Sequence, residues 1–163
     1  MSIIRFYSDP HFGHTNMALR RGFTSSDEMD NHIITEWNKV VSKKDVTYIL
    51  GDITMEKNNY EILNQLNGLK KIVGGNHDEL THSKSLINYC NGISGVVYFK
   101  DNLLGIKVIL THVPIHPSEL EFRSKFNIHG HVHENSLEDG RYINVCAEVI
   151  DYKPRTLKEL LKL

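Results

Sequence analysis

Five short runs of β-branched, aromatic and aliphatic residues in this chain each break off into a cluster of aspartate, asparagine or histidine. Residues 3–8 lead into Ser8-Asp9-Pro10-His11, residues 45–50 into Gly51-Asp52, and residues 69–73 into Gly74-Gly75-Asn76-His77-Asp78. Residues 106–111 end at Thr111-His112, and residues 126–128 run into His129-Gly130-His131-Val132-His133. The runs read as strands, because β-branched and aromatic side chains suit a pleated, half-buried surface and the Gly and Pro beside them end such a surface. In open α/β sheets ligands bind outside the carboxyl ends of the strands, so five such ends predict one shared site.

Between the strands the hydrophobic period changes. From Asp27 onward Met29, Ile33, Ile34, Trp37, Val40 and Val41 fall on one helical face, and Ser25 with Glu28 has the spacing of a capping box. Tyr60, Leu63 and Leu66 predict a short helix closed by Asn67 and Gly68. Thr156 and Glu159 predict a second capping box, opening a last helix that carries Leu157, Leu160 and Leu161. Residues 95–100 and 141–145 are further strand candidates, Asp101 and Asn102 mark a turn, and residues 12–23 and 113–125 read as loops. The alternation in the first half predicts βαβ units, and the strand-rich second half a sheet continuing into antiparallel pairs, which makes the class α/β. No repeat, linker or low-complexity tract divides the 163 residues, so 1–163 is read as a single domain.

Composition narrows the function. Hydrophobic residues at 40% and charged residues at 24% exclude a disordered or fibrous protein. Lysine and arginine total 19 against 20 for aspartate and glutamate, a balance that argues against a general nucleic-acid binder. Cys90 and Cys146 have no metal-like spacing and read as buried thiols of a reducing compartment. With no apolar run of membrane-spanning length, the expectation is a cytoplasmic protein without a membrane partner.

The clusters supply donors for metal ions. His129, His131 and His133 alternate, so on an extended segment they point the same way, and Gly130 clears space between them. Each cluster alone could be a polar turn; their recurrence at successive strand ends is what turn chemistry does not account for. Imidazole nitrogens with carboxylate and amide oxygens form a mixed set that suits Mn²⁺, Fe²⁺, Zn²⁺ or Ni²⁺ and fits Ca²⁺ poorly. Without a cysteine ligand, a closed structural zinc site does not fit.

The ordered set Asp9-x-His11, Gly51-Asp52, Gly75-Asn76-His77-Asp78, His112 and Gly130-His131-x-His133 resembles the five-motif signature of the calcineurin-like metallophosphoesterase superfamily. Residues 8–14, and the stretch from Asn144-Val145 to Asp151-Tyr152-Lys153-Pro154, further resemble a branch of small bacterial and phage-like members. The resemblance implies a four-layer α/β/β/α sandwich with a two-metal centre on one edge. Asp9, His11 and His133 would hold the first ion, Asn76, His112 and His131 the second, and Asp52 would bridge both. It also implies a metal-dependent phosphoric ester hydrolase using metal-activated hydroxide in an in-line attack, with manganese named first and iron, zinc or nickel as alternatives. His77 would protonate the leaving oxygen or stabilise its charge, and Asp78 would orient His77 or a ligand.

The intervals between motifs leave no room for a cap domain, which needs about 50 residues. The site is therefore expected to be open, with small phosphodiesters or nucleotide-derived phosphates as substrates and no long nucleic acid. His14, Arg20 and Arg21 in residues 12–23, and His116, Arg123 and Lys125 in residues 113–125, are candidate grips for phosphate charge. A phosphomonoesterase shares the same ligand set and stays as the alternative; a metal-binding interaction scaffold is a further one. Association of copies of the chain is left open. His129 reads as a structural residue or a phosphate contact, and His32 and His82 as surface or packing residues.

Overall fold

The computed structural model describes residues 2–55, 59–78 and 83–163, and His82 lies outside them. Among the described residues eight strands form two four-stranded sheets. The first contains β1 (Ile4–Tyr7), β2 (Val46–Ile49), β3 (Leu69–Val73) and β4 (Ile93–Ser94), in that order and all parallel. The second contains β5 (Val97–Lys100), β6 (Lys107–Leu110), β7 (Phe126–His129) and β8 (Tyr142–Asn144). Only β5 and β6 pair antiparallel; β6, β7 and β8 run parallel. This corrects the expectation of one sheet continuing into antiparallel pairs. The short turn at Asp101, whose carboxylate accepts the amides of Leu103 and Leu104, permits a hairpin, whereas the longer connections after β6 and β7 allow parallel return.

Register and side-chain alternation set the layers. Phe6 lies opposite Tyr48 in the β1–β2 ladder, and both rings face Phe99 of β5, at 5.6 and 5.9 Å between centroids. The neighbouring residue Tyr7 points to the other face and meets Trp37 at 5.2 Å. The first sheet is therefore covered by the second sheet on one side and by a helix on the other, as the near-continuous apolar character of its strands requires. One connected core draws on both sheets, from Phe6, Ile49 and Val73 to Val108, Leu110 and Ile128.

That helix, α2 (Ser26–Val40), follows the short α1 (Thr15–Arg20) and buries Met29, Ile33 and Trp37 along the expected stripe. Ser25 caps it by accepting the Glu28 amide, but the Glu28 carboxylate reaches Thr24 rather than Ser25. The segment around Tyr60 is a 3-10 helix, Tyr60–Gln65, and the last helix opens with the expected Thr156–Glu159 box. Three one-turn helices, α3 (Ser83–Leu86), α4 (Glu119–Phe122) and α5 (Leu157–Leu160), complete the α-helices of the described residues. Residues 12–23 and 113–125 are thus not plain loops: they contain α1 and α4. Cys90 is only partly buried, whereas Cys146 is fully buried, and both are free thiols. His32 is a packing residue between Phe23 and Tyr152. No helix of the described residues is long and apolar enough to cross a membrane.

Candidate metal centre

The carboxyl ends of β1, β2 and β3 meet those of β6 and β7, and glycines make the meeting sterically feasible. A Cβ on Gly130 would fall 1.9 Å from Ser8 Oγ and 2.2 Å from Asp9 Oδ2; one on Gly75 would fall 2.3 Å from Asp52 Oδ1. Gly51, at φ +87°, faces Gly75 and His112 at 2.6 Å by the same measure. The two sheets are also tied directly: Ser8 forms a parallel bridge with Cys146, and Ala147 donates its amide to the Ser8 carbonyl.

Past these ends the backbone turns through left-handed geometry. Asp9, His11, Asp52, His131 and His133 have φ between 52° and 70°. For an L-residue with a Cβ this costs about 1–2 kcal/mol each. Such strain accumulates where surrounding structure over-determines it for a purpose. Some of that determination is visible. The Asp78 carboxylate accepts the amides of Asp52 at 2.8 Å, Ile53 at 3.0 Å and Gly75 at 2.9 Å, stitching the ends of β2 and β3 together. Asp9 is held by the hydroxyl of Ser8 at 2.5 Å, the amide of His131 at 2.9 Å and the Cys146 thiol at 3.3 Å.

Asp9, His11, Asp52 and His112 are buried, while Asn76, His77 and His131 are exposed and His133 is half-buried. The result is a buried floor with an open rim. His11 Nε2 lies 3.5 Å from Asp9 Oδ1 and 3.8 Å from Asp52 Oδ2; His112 Nε2 lies 3.4 Å from Asp52 Oδ2 and 2.8 Å from Asn76 Oδ1. His112 Nδ1 faces the Leu50 carbonyl at 2.7 Å, an oxygen that can only accept, so Nδ1 carries a proton and Nε2 is the nitrogen turned toward Asp52 and Asn76. His133 Nδ1 is likewise 2.8 Å from Glu148 Oε1, and its ring stacks on His11 at 5.3 Å. The His131 ring meets His112 at 5.1 Å.

Two donor groups overlap at Asp52: Asp9 with His11 and Asp52, and Asp52 with His112 and His131, each with its ligand atoms within 4.8 Å of one another. A third joins Asp9, His133 and Cys146. Whether a cation belongs there can be judged from the polar atoms. Asp9 Oδ1 and both ring nitrogens of His11 are buried with no hydrogen-bond partner among the described residues. Buried polar atoms are almost always satisfied, so Asp9 Oδ1 and the His11 nitrogen 3.5 Å from it fit a cation as their common partner. Burial opposes ionisation of Asp9 and Asp52. For Asp9 the His11 and Ser8 side chains outweigh it, and for Asp52 the His112 ring does, so both carboxyls sit below their ordinary range and are ready to coordinate. Burial pushes the Cys146 thiol far up, which keeps it a hydrogen-bond donor to Asp9 rather than a thiolate ligand.

The remaining expected site residues divide. His77, with 44% of its side chain exposed, stands on the rim with Nε2 3.9 Å from Asp52 Oδ2, and its amide donates to Asp52 Oδ1. His14 is close by, its ring 5.7 Å from that of His11, and burial lowers its pKa. Asp78 holds the candidate ligand Asp52 through its backbone: its oxygens accept the amides of Asp52, Ile53 and Gly75. Arg20 is exposed and paired with Glu134 at 2.5 Å. Arg21 is not free to grip a phosphate: its side chain is 2% exposed and bonds the carbonyls of Asp9 and Pro10 and the carboxylate of Glu148. His116 is exposed and bonds Ser118. Arg123 and Lys125 lie at the wrong end of the second sheet. Arg123 lines a surface cavity with Lys107, the first residue of β6, and Lys125 bonds Lys107 just before β7 begins. The length of β7, about 13 Å for four residues, separates them from the histidines. Glu148 was not singled out as a site residue, although it falls within residues 144–154; it meets His133 because the chain after β8 runs alongside Ser8.

Fold and site together define an α/β protein of two four-stranded sheets whose strand ends carry a histidine and carboxylate cluster suited to divalent cations. Over its full length the chain is 35% identical, across 178 aligned positions, to the uncharacterized protein MJ1445 of Methanocaldococcus jannaschii, covering 93% of it, and it belongs to the same family. It is also 36% identical over 83 residues to the Gene 66 protein of Mycobacterium phage D29, a match covering 48% of this chain and 41% of the phage protein. No protein-family model matches the sequence. Among solved structures, the protein of unknown function AQ665 from Aquifex aeolicus superposes with a TM-score of 0.79 at 29% identity, over 99% of both chains. An archaeal phosphodiesterase superposes with a TM-score of 0.52 at 18% identity, over 88% of this chain and 81% of the other, a likeness of fold.

Proposed function

We propose that this chain is a single-domain, metal-dependent phosphoesterase of the calcineurin-like metallophosphoesterase superfamily, acting on small phosphodiesters or nucleotide-derived phosphates. The observation that carries the reading is the convergence, at one sheet edge, of strained ligand-type residues around unsatisfied buried atoms of Asp9 and His11. The fold likeness to an archaeal phosphodiesterase supports it. In this reading Asp9, His11 and His133 hold one ion, Asn76, His112 and His131 the other, and Asp52 is shared, in keeping with the overlap of the two donor groups at Asp52. Manganese is proposed first, with iron, zinc or nickel as alternatives suited to the same donors. Two such cations would lower the pKa of water and neutralise charge on phosphoryl oxygens.

The chain's own residues do the rest. His77 stands on the open rim, free to carry a proton to a leaving oxygen, and its amide steadies Asp52. Asp78 braces the backbone that presents Asp52 and Asn76. His14 and Arg20 flank the rim as candidate contacts for substrate charge. The four-layer sandwich belongs to the same proposal. In that reading the segment tied by the Ile115 amide to Asn127, with Leu120 buried, would supply the fourth layer. A cytoplasmic location, with no long nucleic acid as partner, completes the reading.

The test is a panel of phosphodiesters, cyclic nucleotides, dinucleotides and phosphomonoesters against protein loaded with Mn²⁺. Hydrolysis led by a small diester is the expected result. Preference for monoesters would favour the phosphatase alternative, and metal uptake without any turnover the scaffold.

A further inference from the structure

Arg21 and Glu148 form a nearly buried ion pair at 2.5 Å beside the metal centre. Such pairs seldom stabilise a protein on balance, because desolvating both charges offsets their attraction, so where this one is spent matters. Each partner has a second hand, and each reaches a residue of the metal centre. The other oxygen of Glu148 is 2.8 Å from Nδ1 of His133. The guanidinium of Arg21 donates to the carbonyl of Asp9 at 2.7 Å and to that of Pro10 at 3.1 Å. Asp9 and His133 are both in left-handed geometry, at φ 55° and 53°, so neither is held in place by strand pairing alone. They stand 124 residues apart in sequence, and the pair connects them through three side chains.

We propose that Glu148 and Arg21 are a positioning pair: Glu148 keeps the proton of His133 on Nδ1, so that Nε2 is the nitrogen offered to a cation, and Arg21 locks the Asp9–Pro10 turn to the same carboxylate. The inference rests on the metal reading of Asp9 and His133. A histidine ligand whose second nitrogen donates to a carboxylate gains a fixed tautomer, a fixed ring orientation and greater basicity. Glu148 is suited to that role because its two oxygens are divided between Nδ1 of His133 and the Arg21 guanidinium. The Arg21 fork adds what a lysine would not, two directed donors for two successive carbonyls.

Two measurements separate this role from a purely structural one. Long-range ¹H–¹⁵N spectra of the metal-free protein are expected to show His133 protonated on Nδ1; a proton on Nε2 overturns the proposal without any variant. Calorimetric titration with Mn²⁺ is then compared for wild type, Glu148→Ala and the nearly isosteric Glu148→Gln, each checked for folding by circular dichroism. Loss of about 10- to 100-fold in affinity at one of two sites is expected for Ala, with the other site unchanged. The Gln carbonyl can still accept from Nδ1, so that variant is expected to keep the tautomer and lose less. If wild type takes up no divalent cation, the metal reading falls and this inference with it. If wild type binds two ions, and both variants bind them as tightly with an unchanged His133, only the positioning role is overturned.

Discussion

Replacing Gly130 by alanine tests the idea that the site exists because two sheets approach to within a glycine's width. The added methyl would lie 1.9 Å from Ser8 Oγ, 2.2 Å from Asp9 Oδ2 and 2.7 Å from Ser8 Cβ. The first contact could be relieved by turning the Ser8 side chain, at the loss of its hydrogen bonds to Asp9 and to the Leu50 carbonyl. The third cannot, since it is set by backbone. Overpacking costs about 1–3 kcal/mol and the two buried hydrogen bonds about 1 kcal/mol each, so the total is about 3–5 kcal/mol. For a chain of this size that lowers Tm by roughly 6–20 °C. Gly140→Ala is the control, because a Cβ there meets nothing within 4 Å and its φ is not left-handed. Ser8→Ala in the Gly130→Ala background removes one of the three clashes and should restore only part of the loss. Thermal unfolding followed by circular dichroism reads all of this. A Gly130→Ala protein melting within 2 °C of the Gly140→Ala protein, about half a kcal/mol, would refute the close approach.

Three further outcomes are expected. His77→Ala should leave Tm and bound metal unchanged and lower kcat by about 10²- to 10⁴-fold on esters with poor leaving groups, less on nitrophenyl esters; equal losses on both would remove its role as proton donor. Arg123→Ala should leave KM for a charged nucleotide unaltered because of its place at the far end of β7, whereas Arg20→Ala should raise it more than for an aryl ester whose only charge is on the scissile phosphate; the reverse order in steady-state assays would contradict the placement. Burial alone would raise the Asp45 carboxyl, but the amides of Ser42 and Ile3 and the Arg5 guanidinium hold it below its ordinary value. Its contribution to stability is thus complete above the unfolded pKa of about 3.9 and is lost as pH falls through the lower folded value. Asp45→Asn should therefore flatten the fall of Tm between pH 5 and pH 3, and a profile as steep as wild type would count against it.

Seven of the eight strands among the described residues were legible because each is a local pattern of β-branched, aromatic and aliphatic residues, five of them running into donors; β4, two residues long, was too short to show one. The same is true of α2, whose stripe of Met29, Ile33 and Trp37 needs no tertiary information. What escaped depended on distance or on weak local signal. α1 is six residues long, begins after His14 with no side-chain cap and buries only Met17 and Ala18, so its pattern is too short to stand out. Arg123 follows His112 closely along the chain, yet β7 places it a strand's length away. Glu148 has the opposite history, meeting Arg21 across 127 residues because β8 runs on beside β1.

The division of the ligand-type residues between the sheets has a further consequence. Asp9, His11, Asp52 and Asn76 extend from the first sheet, and His112, His131 and His133 from the second. A cation shared among them would be a clasp across the two halves of the core, with its full set of ligands present only when both are assembled. Occupancy would then report on completed folding: an ion present at a hundred times its dissociation constant adds about 2.7 kcal/mol to the assembled state, and the part of a site carried by one sheet would bind it less tightly.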